Sequence, residues 1–237
     1  MMKNELFIDN GERPIGGTLY YGSGFDNTIV ALHGYSSSRK SEHIKELAEI
    51  ATQNKTAVLS FDLPEHGDRR SQRGTLNMRN CVEDLKTVIA YARDELTDKI
   101  SLYGSSFGAY VALVGSVCDF AIEKYMLRVP ALNPIKVLSK VMKDVSDIES
   151  EKLRKLILEI TAGGRALDVY DLVRKYKYSP IDIIYSINDE YVDGVDVRRF
   201  EAIDTSRIRL TSTGGGHGFT TTTAQKAYTE WLNKIFE

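Results

Sequence analysis

The pentapeptide Gly104-Ser105-Ser106-Phe107-Gly108 has the form G-x-S-x-G and stands between a short apolar run, Ile100 to Tyr103, and a stretch of small and aliphatic residues. Where a strand turns at once into a helix, the central serine of such a sequence occupies a tight corner that lifts its hydroxyl clear of the sheet. Gly104 and Gly108 remove side chains that would collide there. The following helix also aims unpaired backbone N–H groups, that of Phe107 first, at any oxygen that becomes negative beside Ser106. A serine hydroxyl attacks a carbonyl only when a base takes its proton, and a carboxylate must in turn orient that base.

The chain has four histidines, His33, His43, His66 and His217. His217 is the best base, because it lies between a strand-like run ending at Thr213 and the last helical segment. Its three preceding glycines, Gly214 to Gly216, predict a mobile turn able to bring the imidazole over the sheet end. His33 is expected to order its own loop, His43 to be a satisfied or exposed helix residue, and His66 to belong to the loop Pro64-Glu65-His66-Gly67-Asp68. For the carboxylate, Asp189 emerges from the apolar run 181–188. Glu190 is its neighbouring rival, and Asp193 and Asp196 are replacements if the loop is longer. Asp62 also ends a strand but precedes the nucleophile.

These residues need a scaffold that gathers strand ends on one rim. Segments 6–9 and 16–21 read as an edge hairpin joined through Asn10-Gly11 and Pro14. Strands are expected over 28–32, 55–62, 99–104, 123–131, 181–189 and 207–213, and helices over 43–53, 77–96, 106–117 and 221–236, with Asn77 as a cap. That alternation gives βαβ units and a mostly parallel sheet covered on both faces, with ligands beyond the carboxyl ends of the strands. Between Pro134 and Pro180 the pattern is helical, over 148–163 and 165–176, without strand runs. This is read as a small helical cap inserted before the acid-bearing strand, the alternative being helices on the sheet face. Apolar residues between Leu138 and Val169 serve mainly to pack it.

Composition sets the outer limits. A chain of 237 residues with 42% hydrophobic and 27% charged side chains is ordinary for one folded domain, and a net charge of −2 with no basic stripe argues against nucleic acid. Cys81 and Cys118 form no C-x-x-C pair, so neither a disulfide framework nor a thiolate metal site is expected, and no other metal or cofactor pattern occurs. The N-terminal stretch lacks an apolar central segment and no long apolar run follows, so neither a leader nor a membrane span is expected and the location is read as cytoplasmic. Arg69, Arg70 and Arg73 are expected as solvated charges rather than as a rim for acidic groups. A homo-oligomer is left open.

With these motifs quoted, the chain resembles the α/β-hydrolase superfamily, and within it compact bacterial serine esterases and the hydrolases related to serine aminopeptidases and monoacylglycerol lipases. The shared features run from Thr28 to the last helix: an early His33-Gly34 at a strand end, the strand-end Asp62 leading to His66-Gly67, the serine elbow, Asp189 to Val192, and His217-Gly218. The resemblance implies a single domain over 1–237 and a nucleophile, acid and base in the order Ser106, Asp189, His217. It also implies an oxyanion hole from the backbone N–H groups of Tyr35 and Phe107. The reaction implied is hydrolysis of short, medium or hydroxycinnamoyl esters through an acyl-enzyme. A peptidase, an acyl thioesterase and a monoacylglycerol lipase would use the same triad, and a catalytically silent binding protein would use the same fold. A peptidase would need a cap carboxylate for the substrate amine, with Glu149, Glu151, Glu159 and Asp168 as candidates.

Overall fold

The computed structural model describes residues 1–11, 13–117, 121–176 and 178–237. Cys118 lies outside them. The chain opens with the antiparallel hairpin of β1 (Met2–Ile8) and β2 (Ile15–Tyr21), in which Ile8 faces Ile15 and Met2 faces Tyr21. Strands β3 (Asn27–Leu32), β4 (Thr56–Phe61), β5 (Ile100–Ser105), β6 (Ile122–Arg128), β7 (Ile181–Ser186) and β8 (Ile208–Thr213) follow. Among the described residues they form one eight-stranded sheet in the order β1-β2-β4-β3-β5-β6-β7-β8, parallel from β4 to β8. The crossovers carry α1 (Glu42–Gln53), α2 (Met78–Glu95), α3 (Phe107–Gly115) and α7 (Gly194–Glu201), and α8 (Thr222–Phe236) closes the chain.

Alternation along each strand sorts the apolar side chains between two cores. Ile29, Ala31, Val58, Tyr103, Met126 and Ile184 pack against α1 and α8, where Trp231 and Leu232 are buried. Val30, Leu32, Leu59, Phe61, Leu102 and Leu127 face the other way, toward α2, α3 and α7. Burying a large apolar side chain contributes about 1.5–3 kcal/mol, so the four buried residues of α8 outweigh the unfavourable nucleation of a short helix. The expected Asn77 cap is present, its side chain accepting from the Asn80 amide.

Between β6 and β7 the chain runs through α4 (Pro134–Val141), α5 (Asp147–Gly163) and α6 (Val169–Lys175). Leu153, Leu156, Ile160 and Val169 of this insertion are buried in the same core as α2 and α3, whereas Leu158 is exposed. The insertion is helical, and its buried face packs on the helical layer of the sheet. No helix among the described residues is long and apolar enough to cross a membrane.

Arg69 corrects an expectation. Its side chain is 2% exposed, with Nη1 donating to Asp84 at 2.5 Å and to the Asp62 carbonyl at 2.9 Å. The reason is long-range: a carboxylate on α2, remote in sequence, meets the loop after β4, and a charged pair so arranged can be buried. Arg70 and Arg73 are exposed as expected.

Candidate active site

Strand β5 ends in a corner at Ser106, whose φ of 52° and ψ of −116° lie outside the usual regions for a residue with a side chain. Such a conformation costs about 1–3 kcal/mol and persists only when its surroundings over-determine it. They do so here. The Ser106 amide donates to the Arg128 carbonyl at 2.9 Å, and its carbonyl accepts from Ala131 at 3.1 Å. A Cβ on Gly104 would sit 2.5 Å from Ala109 Cα, and one on Gly108 would sit 2.4 Å from the His33 carbonyl oxygen, so each glycine permits a contact that closes the corner. Phe107 begins α3, where its amide has no earlier helical carbonyl to pair with. A Cβ on Gly34 would lie 3.2 Å from Ser106 Cβ, which brings the loop carrying Tyr35 against the same corner.

His217 arrives from beyond β8. Its Nε2 is 3.0 Å from Ser106 Oγ, and its Nδ1 is 2.8 Å from Asp189 Oδ2. The Asp189 carboxylate is fully enclosed, and its Oδ1 accepts from the Tyr191 and Val192 amides at 2.8 Å each. Acceptor-only oxygens facing Nδ1 require the proton on that nitrogen, so Nε2 turns its lone pair toward the hydroxyl. The serine is 8% exposed, enough for one face of a small group to reach it. In this arrangement a carbonyl placed above Ser106 Oγ has a nucleophile, a proton acceptor and nearby backbone donors together.

The rival groups have other work. Glu190 Oε2 accepts the His217 amide at 2.9 Å and so holds the backbone of the histidine loop. Asp193 caps α7 and binds Lys136 at 2.7 Å, a helix the sequence reading had not marked, and Asp196 reaches the same lysine. Asp62 is buried beside Arg39, accepting from its amide at 2.9 Å and from its guanidinium. His33 is fully buried, with Nδ1 donating to the Gly34 carbonyl at 2.7 Å and Nε2 accepting from the Leu63 amide at 3.0 Å. Burial, with the neighbouring His66 next, holds its imidazole down to about 3. It orders its loop, as expected. His66 is buried too and bonds the Pro64 carbonyl at 2.8 Å, and half-buried His43 meets Ser41 Oγ at 3.3 Å.

Two of the glycines before His217 take a backbone conformation that side chains resist. Gly215 and Gly216 have φ of 86° and 69°, and a Cβ on Gly216 would lie 2.9 Å from Glu190 Oε2. Three supporting residues escaped the sequence reading. The Tyr191 ring stands edge-on to the His217 imidazole at 5.2 Å, and Asn188 Oδ1 accepts from Gly216 at 3.4 Å. Arg128, 6% exposed, places its guanidinium 4.3 Å from the Phe219 ring centre and donates to Ser105 Oγ at 3.3 Å, bracing the loop two residues past His217. A charged residue closing the apolar run Tyr125-Met126-Leu127 was the available signal for it.

Residues 25–190 match the hydrolase family described as serine aminopeptidase, S33. The chain belongs to that family. No curated protein matches this serine-aminopeptidase-type hydrolase. Among solved structures, an esterase from Pyrococcus furiosus is similar at 23% identity with a TM-score of 0.78, covering 99% of this chain and 89% of its own. Est1E from Butyrivibrio proteoclasticus is similar at 16% identity with a TM-score of 0.76, covering 98% of this chain and 96% of its own. A second structure of Est1E, with ferulic acid bound, has the same TM-score of 0.76 and 16% identity, covering 97% of each chain. At such identity the likeness speaks to the fold, and the fold is that of the α/β-hydrolases.

Proposed function

We propose that this hydrolase is a serine carboxylic-ester hydrolase, one α/β-hydrolase domain over 1–237 with a helical cap over 134–180, working through an acyl-enzyme. The observation that carries the reading is the unbroken line from Asp189 Oδ2 to His217 Nδ1 at 2.8 Å and from His217 Nε2 to Ser106 Oγ at 3.0 Å. Ser106 attacks the ester carbonyl as His217 takes its proton. The amides of Tyr35 and Phe107 hold the resulting oxyanion, each such donor being worth about 3 kcal/mol in the transition state. His217 then protonates the leaving alcohol, and a water deprotonated by the same imidazole attacks the acyl-Ser106 carbonyl, releasing the acid and restoring the serine. Asp189 fixes the tautomer and stabilises the imidazolium.

The family's description favours a second reading, an aminopeptidase, and the cap carboxylates bear on it. Glu149 accepts from Tyr35 Oη at 2.7 Å and from Lys152 at 2.9 Å. Glu159 accepts the Met78 amide at 2.9 Å, Asp168 caps α6, and Glu151 is exposed beside Arg154. Each candidate receiver of a substrate amine is thus engaged or turned to solvent, which supports an ester over an aminoacyl amide. The similar Est1E fold with ferulic acid bound supports including hydroxycinnamoyl esters among the substrates. A kcat/KM panel of p-nitrophenyl esters from acetyl to dodecanoyl, methyl ferulate, an aminoacyl p-nitroanilide and an acyl thioester tests this. The largest value is expected for an ester; preference for the anilide would establish the aminopeptidase instead.

A further inference from the structure

Tyr35 meets the proposed mechanism at its backbone and the cap at its side chain. Its hydroxyl donates to Glu149 Oε2 at 2.7 Å, across 114 residues of chain. Burial first, and the Glu149 carboxylate next, keep that hydroxyl protonated and so a donor. Glu149 lies in the first turn of α5. One turn further on, Lys152 Nζ bridges Glu149 Oε1 and Glu65 Oε2, each at 2.9 Å. Glu65 belongs to the loop after β4, where its other oxygen accepts the Leu76 amide at 3.0 Å. In the same loop the His66 ring packs edge-on against the Tyr35 ring at 5.1 Å.

The Tyr35 segment depends on such side-chain holds. Ser36 has a φ of 61° and Ser37 closes the turn on the Gly34 carbonyl at 3.2 Å, so a left-handed residue other than glycine sits directly after the proposed oxyanion donor. A strained turn of this kind keeps its shape through what packs on it. Here that is the His66 ring and the Glu149 carboxylate.

We propose that Glu149 is a positioning residue: through the Tyr35 hydroxyl it couples the seating of the cap helix α5 to the placement of the Tyr35 amide in the oxyanion hole. The inference rests on the serine-hydrolase reading and adds a device to it. With α5 seated, the amide is fixed for the tetrahedral intermediate. Without that hydrogen bond the amide loses its tether and the oxyanion hole is weakened at one donor. The Tyr35 hydroxyl thereby acts on the rate through the amide of its own residue.

Tyr35→Phe keeps the ring and the amide and deletes only the hydroxyl; Glu149→Ala removes the acceptor. Glu159→Ala is the control, since Glu159 holds the other end of α5 to the Met78 amide at 2.9 Å without touching Tyr35. A hydrogen bond to a charged group is worth enough that Tyr35→Phe and Glu149→Ala should each lower kcat about tenfold, with KM within about twofold. The inhibition constant of a substrate-shaped trifluoromethyl ketone, whose hemiketal oxygen is an oxyanion, should rise by the same factor, while that of the product acid stays unchanged. The double variant should be no worse than either single one, and Glu159→Ala should lower the thermal midpoint with kcat unchanged. An unchanged ketone inhibition constant in Tyr35→Phe, or effects that multiply in the double variant, would overturn the coupling and leave Glu149 a structural contact. Wild-type protein that forms no adduct with a fluorophosphonate would instead remove the serine-hydrolase reading, and the coupling with it.

Discussion

Asp189→Asn separates the proposed acid, Asp189, from its neighbour Glu190, and the structure sets the size of the effect. Asp189 Oδ1 accepts two backbone amides, from Tyr191 and Val192, at 2.8 Å each, while Oδ2 takes the imidazole proton at 2.8 Å. An asparagine there keeps its oxygen on the two amides, because the opposite orientation would set an NH2 group against both donors. Leaving two buried donors unpaired costs about 2–6 kcal/mol. The NH2 group therefore faces His217 Nδ1, which must become an acceptor, and the imidazole proton moves to Nε2, where it points at Ser106 Oγ. The base is then in the wrong tautomer. At 1.36 kcal/mol per decade, restoring the active form lowers kcat by about 30-fold to 10⁴-fold, and loss of the imidazolium's counter-charge pushes toward the upper end. Glu190→Gln keeps an acceptor for the His217 amide and should change kcat by less than about fivefold. The assay is steady-state hydrolysis of a p-nitrophenyl ester, with circular dichroism to show that both variants are folded. If Asp189→Asn retains more than a tenth of wild-type kcat while Glu190→Gln loses more than Asp189→Asn does, the assignment of the acid is wrong.

Gly108→Ala places a Cβ 2.4 Å from the His33 carbonyl oxygen and should destabilise by about 1–3 kcal/mol in urea unfolding, more than Gly11→Ala, where φ is +60° but no atom lies within 4 Å; equal losses would mean that the elbow tolerates the methyl. Asp62→Asn deprives Arg39, 5% exposed at its side chain, of its enclosed partner and should cost about 3 kcal/mol by the same measurement, whereas a change under 1 kcal/mol would show that Glu5 and Asp68 suffice. His33 binds its proton near 3 in the folded protein against 6.5 in the unfolded chain, so the unfolded state takes up the extra proton between those values. Its contribution to stability is complete above pH 6.5 and is lost as pH falls toward 3, with a slope of up to about 1.4 kcal/mol per pH unit that His33→Asn should remove. An unchanged slope between pH 6 and 4.5 in that variant would contradict it.

Much of this was legible because it is local. Hydrophobic runs bounded by Asp62, Ser106 and Asp189 mark strand ends, and the period of α8 marks its buried face before any packing is known. The hairpin register was harder: β1 begins at Met2 rather than Leu6 because its first residues, Met2 to Glu5, lie exposed at the sheet edge, leaving no apolar alternation to read. Helix α7 was missed since only Val197 and Phe200 of its eight residues are buried, too few for a period, and its cap Asp193 looked like a spare acid. What local pattern withholds is partnership across the chain. Arg69 finds Asp84, Arg128 finds Phe219 and Tyr35 finds Glu149, and each meeting exists only once the elements carrying the partners have packed. That Ser106, Asp189 and His217 meet was readable because each follows the carboxyl end of a strand, where the fold gives a single destination.

The proposed reaction requires that His217 make Ser106 nucleophilic. Intact-mass analysis after treatment with a fluorophosphonate reads this directly. One adduct per chain is expected, mapping to Ser106, absent from Ser106→Ala and formed about a thousandfold more slowly by His217→Ala. An adduct that persists in Ser106→Ala, or that forms at the wild-type rate without His217, would contradict it.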